Sequence, residues 1–151
     1  MSDTVIGTET DKTGATVTVK FSATLGNSPV VPIFLRAYAT LIESGHAFNY
    51  IAGTNKSKAV YAEIDGRIVA HLVYDIQDDI PKTTYVVFGG VDDAFKRRGL
   101  YTILNKYLEQ QGKKAGSKKV VSLVHAENIA MLALGEAVGR KKVFHRLEKE
   151  L

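Results

Sequence analysis

The chain contains no cysteine. That excludes a disulfide-stapled scaffold, a zinc ribbon, an iron–sulfur site and any cysteine nucleophile. It fits a reducing cytosol without requiring one. Proline is scarce, with 3 in 151 residues, and the 13 glycines follow no repeat, so collagen-like and proline-rich organisation are excluded. No apolar run approaches the length of a membrane span. The opening MSDTVIGTETDKTG has neither a basic start nor an apolar centre. It does not read as a secretory signal, and a soluble cytoplasmic protein with no membrane partner is expected. The phosphate loop G-x-x-x-x-G-K-[ST], the dinucleotide fingerprint G-x-G-x-x-G and the nucleophile elbow G-x-S-x-G are all missing. The histidines, at 46, 71, 125 and 145, lack ligand spacing, so no metal site is expected.

What is present is enough for a single domain spanning 1–151, with 45% apolar and 24% charged residues. Charge is divided unevenly. Residues 1–80 carry 6 Lys/Arg against 9 Asp/Glu, whereas residues 81–151 carry 14 against 7. The second half therefore suits an anion: nucleic acid, a phosphorylated cofactor or an acidic partner. The alternative is a solvated lysine-rich surface.

Residues 1–14 read as a loose lead-in. Ala15, Val17, Val19 and Phe21 alternate as one face of a strand. Asn27, Ser28 and Pro29 resemble a helix start, and Gly45 a helix stop. Residues 46–57 fit either a short helix or a loop. Two β-rich runs, 59–64 and 67–76, flank Asp65-Gly66, which predicts a type I′ hairpin. Its register would pair Glu63 with Ile68 and turn His71 to the opposite face. Thr83 to Val91 reads as a strand whose Gly89 and Gly90 mark a bulge or a close backbone approach. An apolar stripe from Leu100 to Leu108 predicts a helix over about 97–115 ending at Gly116. Lys119 to Val124 is a further strand. Asn128 caps a helix that Gly139 closes, and Val143 to Leu147 reads as a last strand. The hairpin is antiparallel and the 83–124 crossover parallel, giving a mixed, mostly antiparallel sheet flanked by helices.

The chemistry concentrates in VDDAFKRRGLYTIL. Lys96, Arg97 and Arg98 precede Gly99 at a helix N-terminus, where unpaired N–H groups and the helix dipole favour an anion. Glycine lets a phosphate reach the backbone, so the segment reads as a pyrophosphate cradle. The alternative is an ordinary basic helix cap.

V-x-x-x-F-K-R-R-G-L-Y-x-x-L resembles the coenzyme A loop of the GNAT superfamily of N-acetyltransferases. Lys96 stands at that family's Arg/Gln position, Gly99 at its central glycine and Tyr101 at its last small residue. The block from Val124 to Gly139, with Asn128 opening the helix, resembles the family's next segment. The resemblance covers roughly residues 58–147. It implies an α+β acyl-CoA N-acyltransferase fold with the sheet splayed at the fourth strand, 83–91. It further implies acetyl-CoA as co-substrate and direct transfer to an amine on a small molecule or a protein. Val91, Lys96, Arg97, Arg98, Gly99, Leu100 and Tyr101 would hold the coenzyme, with Asn128 on the pantetheine amides. His125 is the candidate base, having a pKa suited to neutral pH. Glu63 and His71 are further acceptor-side candidates, and Tyr85 and Tyr101 candidate acids. Two departures stand out: bulky Tyr101 replaces Gly or Ala, and Gly135 occupies the place of the family's frequent tyrosine acid. A homodimer through the C-terminal strand is also within what the resemblance implies. Other readings are a catalytically inactive module of this fold and a nucleic-acid binder using KRR, Lys113-Lys114, Lys118-Lys119 and Arg140-Lys141-Lys142.

Overall fold

The computed structural model describes residues 3–45, 54–124, 127–143 and 147–151. Strands β1 (Thr4–Thr10), β2 (Thr16–Ser22), β3 (Lys58–Ile64), β4 (Arg67–Gln77), β5 (Thr83–Val91) and β6 (Lys119–Ser122) form one sheet in sequence order. All neighbours are antiparallel except β5 and β6, which are parallel. Helix α1 (Val31–Glu43) joins β2 to β3's side of the chain, α2 (Leu100–Lys114) makes the crossover, and α3 (Ile129–Ala137) follows β6. This is the mixed, mostly antiparallel sheet that the sequence predicts.

Alternation places Val17 and Val19 wholly inside, with Val60, Ala62, Leu72 and Tyr74 beside them. Onto that face α2 lays Leu100, Leu104, Tyr107 and Leu108, all buried. Each contributes roughly 1.5–3 kcal/mol of burial, and this is what seats the helix. The opposite face carries Ala59, Tyr61 and Val73, covered by Val30 and Phe34 around the start of α1. Ser28 Oγ accepts from the Val30 N–H (3.1 Å), so the cap chemistry expected near Ser28 is present, although α1 begins at Val31.

The hairpin turn has Asp65 at φ 51° and Gly66 at φ 74°, the two positive values that a type I′ turn demands. Gly45, Gly116 and Gly139 also have positive φ, just past the ends of α1, α2 and α3.

Three expectations need correction. Residues 4–10 of the supposed lead-in are β1, an edge strand whose main hold on the core is Ile6. The strand counted fourth from the sequence is therefore the fifth. Second, the bulge in β5 falls at Val87, where the register slips from Val73↔Phe88 to Tyr74↔Val86. At the glycines themselves the other expected alternative, close approach, holds: a Cβ on Gly89 would stand 2.4 Å from Leu72 Cδ2. Third, Glu63 does pair with Ile68, but β4 bulges at Val69, because Ala62 pairs with Ala70. The extra residue turns His71 back, so that Ile68 and His71 both face α1. The last strand expected over 143–147 falls largely on 144–146, outside the described residues, and Val143 and Leu147 themselves are not in a strand.

Candidate active site

β5 pairs with β6 only from Thr83 to Val86, opposite Lys119 to Ser122. Beyond Val86 the two strands part. Val87 to Val91 then present an edge with no strand beside it among the described residues. A cleft of about 1210 Å³ opens there, walled by α1, by β4 and β5, and by Ser122, Leu123, Val124, Asn128 and Met131. An extended molecule laid along this edge would find backbone groups to pair with, as an added strand does.

At the foot of the edge, Asp92 ends β5 by accepting from the Ala94 N–H (3.3 Å) and pairing with Arg67. A single 3-10 turn, Asp93–Phe95, follows. Phe95 lies between two guanidinium groups, Arg67 at 5.4 Å and Arg98 at 4.7 Å from its ring centre. Arg97 has φ 64° and Gly99 φ 81°, left-handed values that turn successive N–H groups toward one side. No backbone or side-chain acceptor meets the N–H groups from Gly99 to Thr102 among the described residues. That row of open donors, at the positive end of α2, has the chemistry that a pyrophosphate needs.

The side chains singled out from the sequence divide by role. Val91 ends the open edge, and Lys96 lines the cleft while pairing with Asp93 (2.9 Å). Arg97 is exposed, and Leu100 is buried under α2. Arg98 turns to the β1–β2 turn, where Nε donates to Asp11 Oδ2 (2.6 Å) and Nη2 to Thr13 Oγ1 (3.1 Å). Tyr101 does not crowd the open donors. Its ring is buried in the core beneath α2, and its hydroxyl accepts from Arg140 Nη1 (2.8 Å). Arg140 also donates to Asn105, so this basic cluster is partly internal. Asn128 Oδ1 caps α3 by accepting from the Met131 N–H (3.3 Å), and the residue lines the cleft. His125, and the 46–53 part of the ambiguous segment, lie outside the described residues.

Three residues that matter here were missed or undervalued in the sequence. Asp11, whose side chain is fully buried, stands opposite Arg98. Burial alone would raise its pKa, but hydrogen bonds from the Thr13 hydroxyl, Arg98 and the N–H groups of Ala15 and Thr13 hold it well below the ordinary carboxylate range. D-K-T-G does announce such a turn, since aspartate accepts from N–H groups just ahead of it. Nothing local to that turn points to residue 98. His71 lines the cleft at 2% exposure, beside Phe34 and Phe88. Its Nε2 is buried without a partner among the described residues, and burial pushes its pKa down to about 4, so the ring is neutral at pH 7. Asp75 shares the α1 face of β4 and accepts from Ser57 Oγ (2.5 Å). Of the cleft's carboxylates, Asp92 and Asp93 are ion-paired, and Asp75 has no cation beside it among the described residues. Tyr85, opposite Asp75 in register, also lines the cleft.

Comparison with known proteins agrees with this geometry. Residues 31–139 match the model of the acetyltransferase (GNAT) family, and the chain belongs to that family of N-acetyltransferases. Among solved structures, a putative acetyl transferase from Pyrococcus furiosus superposes with TM-score 0.70 at 17% identity, covering 89% of this chain and 99% of that one. The aminoglycoside N-acetyltransferase AAC(6')-Iy in complex with CoA gives TM-score 0.66 at 13% identity, covering 96% of each chain. A ribosomal-protein-alanine N-acetyltransferase from Brucella melitensis gives 0.67 at 14%, covering 89% and 99%. At these identities the likeness is one of fold. No curated protein sequence matches the chain. No helix among the described residues is long and apolar enough to cross a membrane, and no group of three or more metal-ligating side chains occurs among them.

Proposed function

We propose that the chain transfers an acetyl group from acetyl-CoA to an amine borne by a small molecule or a protein. The observation that carries this reading is the row of unbonded N–H groups from Gly99 to Thr102 at the foot of an open strand edge, among the described residues. The pyrophosphate would rest on those groups, with Lys96 and Arg97 beside it. The pantetheine arm would run along Val87 to Val91, within reach of the Asn128 amide. The thioester would then lie near the point where β5 and β6 part.

In the reaction the amine nitrogen bonds to the acetyl carbon, the carbon–sulfur bond breaks and the thiolate leaves. From the ammonium form the nitrogen gives up two protons: the departing thiolate takes up the second as the amide forms, and His125 is the proposed acceptor of the first, which is lost before attack. Asp75 would hold the acceptor's ammonium group before it loses that proton, because opposite charge draws a cation into a half-buried cleft. The acceptors for which these neighbours are named, aminoglycosides and a ribosomal-protein alanine, all bear amines, which supports the acceptor class and leaves its identity open.

Thermal unfolding with acetyl-CoA, free coenzyme A and ATP tests the reading. Ligand at a hundred times its Kd stabilises the folded state by about 2.7 kcal/mol. Gly99→Val, which forces a β-branched residue to φ 81°, should remove that shift. No shift in the unaltered protein at saturating acetyl-CoA would overturn the proposal.

A further inference from the structure

The turn between β1 and β2 is fastened to the cradle at two levels. The buried Asp11 carboxylate holds the Arg98 side chain, and the Lys12 N–H donates to the Arg98 carbonyl (3.1 Å). With its main chain fixed there, Lys12 runs its side chain across Gly99. Its Cε, Cγ and Cδ lie 3.4, 3.6 and 3.8 Å from where a Cβ on Gly99 would be. The ammonium is one bond beyond Cε, which keeps it close to Gly99, the residue that opens α2. Lys12 makes no ion pair among the described residues, and it is exposed. By contrast Arg98, the adjacent cation on the loop itself, is committed to Asp11. An unneutralised cation held beside unsatisfied donors is a combination that favours a phosphate over water.

We infer that Lys12 is a coenzyme-binding residue, its ammonium contacting the pyrophosphate, and that Asp11 and Arg98 are the positioning pair that brings it there. This rests on the acetyl-CoA reading above. It adds a part of the site contributed by the N-terminal strand pair, 84 or more residues before the loop it serves.

The test compares binding of coenzyme A, dephospho-coenzyme A and pantetheine by calorimetry to the unaltered protein, Lys12→Gln and Lys12→Arg. Lys12→Gln keeps most of the stem and removes the charge. It should weaken coenzyme A and dephospho-coenzyme A alike, by roughly fivefold to tenfold. Pantetheine, which has no pyrophosphate, should bind both proteins equally, and Lys12→Arg should restore most of the loss. Equal affinity of the unaltered protein and Lys12→Gln for coenzyme A would overturn this inference while leaving the acetyl-CoA reading intact. A loss that disappears with dephospho-coenzyme A would also overturn it, because the contact would then be to the 3′-phosphate. Failure of the unaltered protein to bind coenzyme A would overturn both.

Discussion

His71 should make the protein acid-labile in a window set by its own burial. The ring sits at 2% exposure, stacked on Phe88 at 5.9 Å and edge-on to Phe34 at 6.5 Å, with no partner for Nε2 among the described residues. Burial lowers its pKa from 6.5 to about 4. Below pH 6.5 the unfolded chain therefore takes up a proton that the folded protein refuses, and folding stability falls as pH falls. The loss grows to roughly 2 kcal/mol by pH 5 and roughly 3 by pH 4, then levels off once the folded state also binds the proton. Urea unfolding at pH 7, 6, 5 and 4 measures it. His71→Leu removes the titrating group and keeps an apolar side chain, so its stability should vary less between pH 7 and 5 by about the same 2 kcal/mol. Subtracting the two curves isolates His71 from the other histidines. An unchanged slope in the variant would refute the reasoning. Asp11 acts in a separate window: its depressed pKa contributes stability that is present above pH 3.8 and lost as pH falls further.

Three other outcomes are expected. Gly112→Ala puts a Cβ 2.5 Å from Thr84 Oγ1, which itself bonds Ser117 Oγ (2.8 Å), and should cost about 1–3 kcal/mol in chemical denaturation. Gly135→Ala, inside α3 with nothing among the described residues within 4 Å of the new methyl, should raise stability by about 0.5–1 kcal/mol, read as a higher Tm. Asp75→Asn should raise KM for the amine, on the order of tenfold, while leaving acetyl-CoA affinity unchanged in steady-state kinetics.

The elements that advertise themselves locally were legible. Asp65-Gly66 needs positive φ at both residues, and the structure has it. The stripe from Leu100 to Leu108 names the buried face of α2, and Asn128 caps α3 with its own side chain. β1 was hidden because an edge strand with little buried on either face carries no alternation: only Ile6 packs on the core, and Gly7 is pressed against the Tyr107 ring. The bulges at Val69 and Val87 were unreadable for a related reason. Each depends on how two strands settle against a third, and moving one residue in register reverses every side chain beyond it. Thus the basic loop could be found from its spacing, whereas Lys12, His71 and Asp75 reach the site through pairings that no short stretch encodes. Tyr101 shows the converse: a residue that looked obstructive in the motif points inward, toward Arg140.

The anchoring of Arg98 by Asp11 bears on where the working unit begins. The family match starts at residue 31, after both β1 and β2. A chain trimmed to 31–139 would keep the loop, the open strand edge and α2. It would lose the carboxylate that holds Arg98, the lysine that crosses Gly99, and the strands that cover β3 on its outer side. If Lys12 serves the coenzyme as inferred above, a competent protein needs strands that lie before the family match, which begins at residue 31. Deletions advancing from the N-terminus should weaken coenzyme binding in one step at the 10–13 turn, by at least the roughly fivefold to tenfold expected of Lys12→Gln, and not gradually with length.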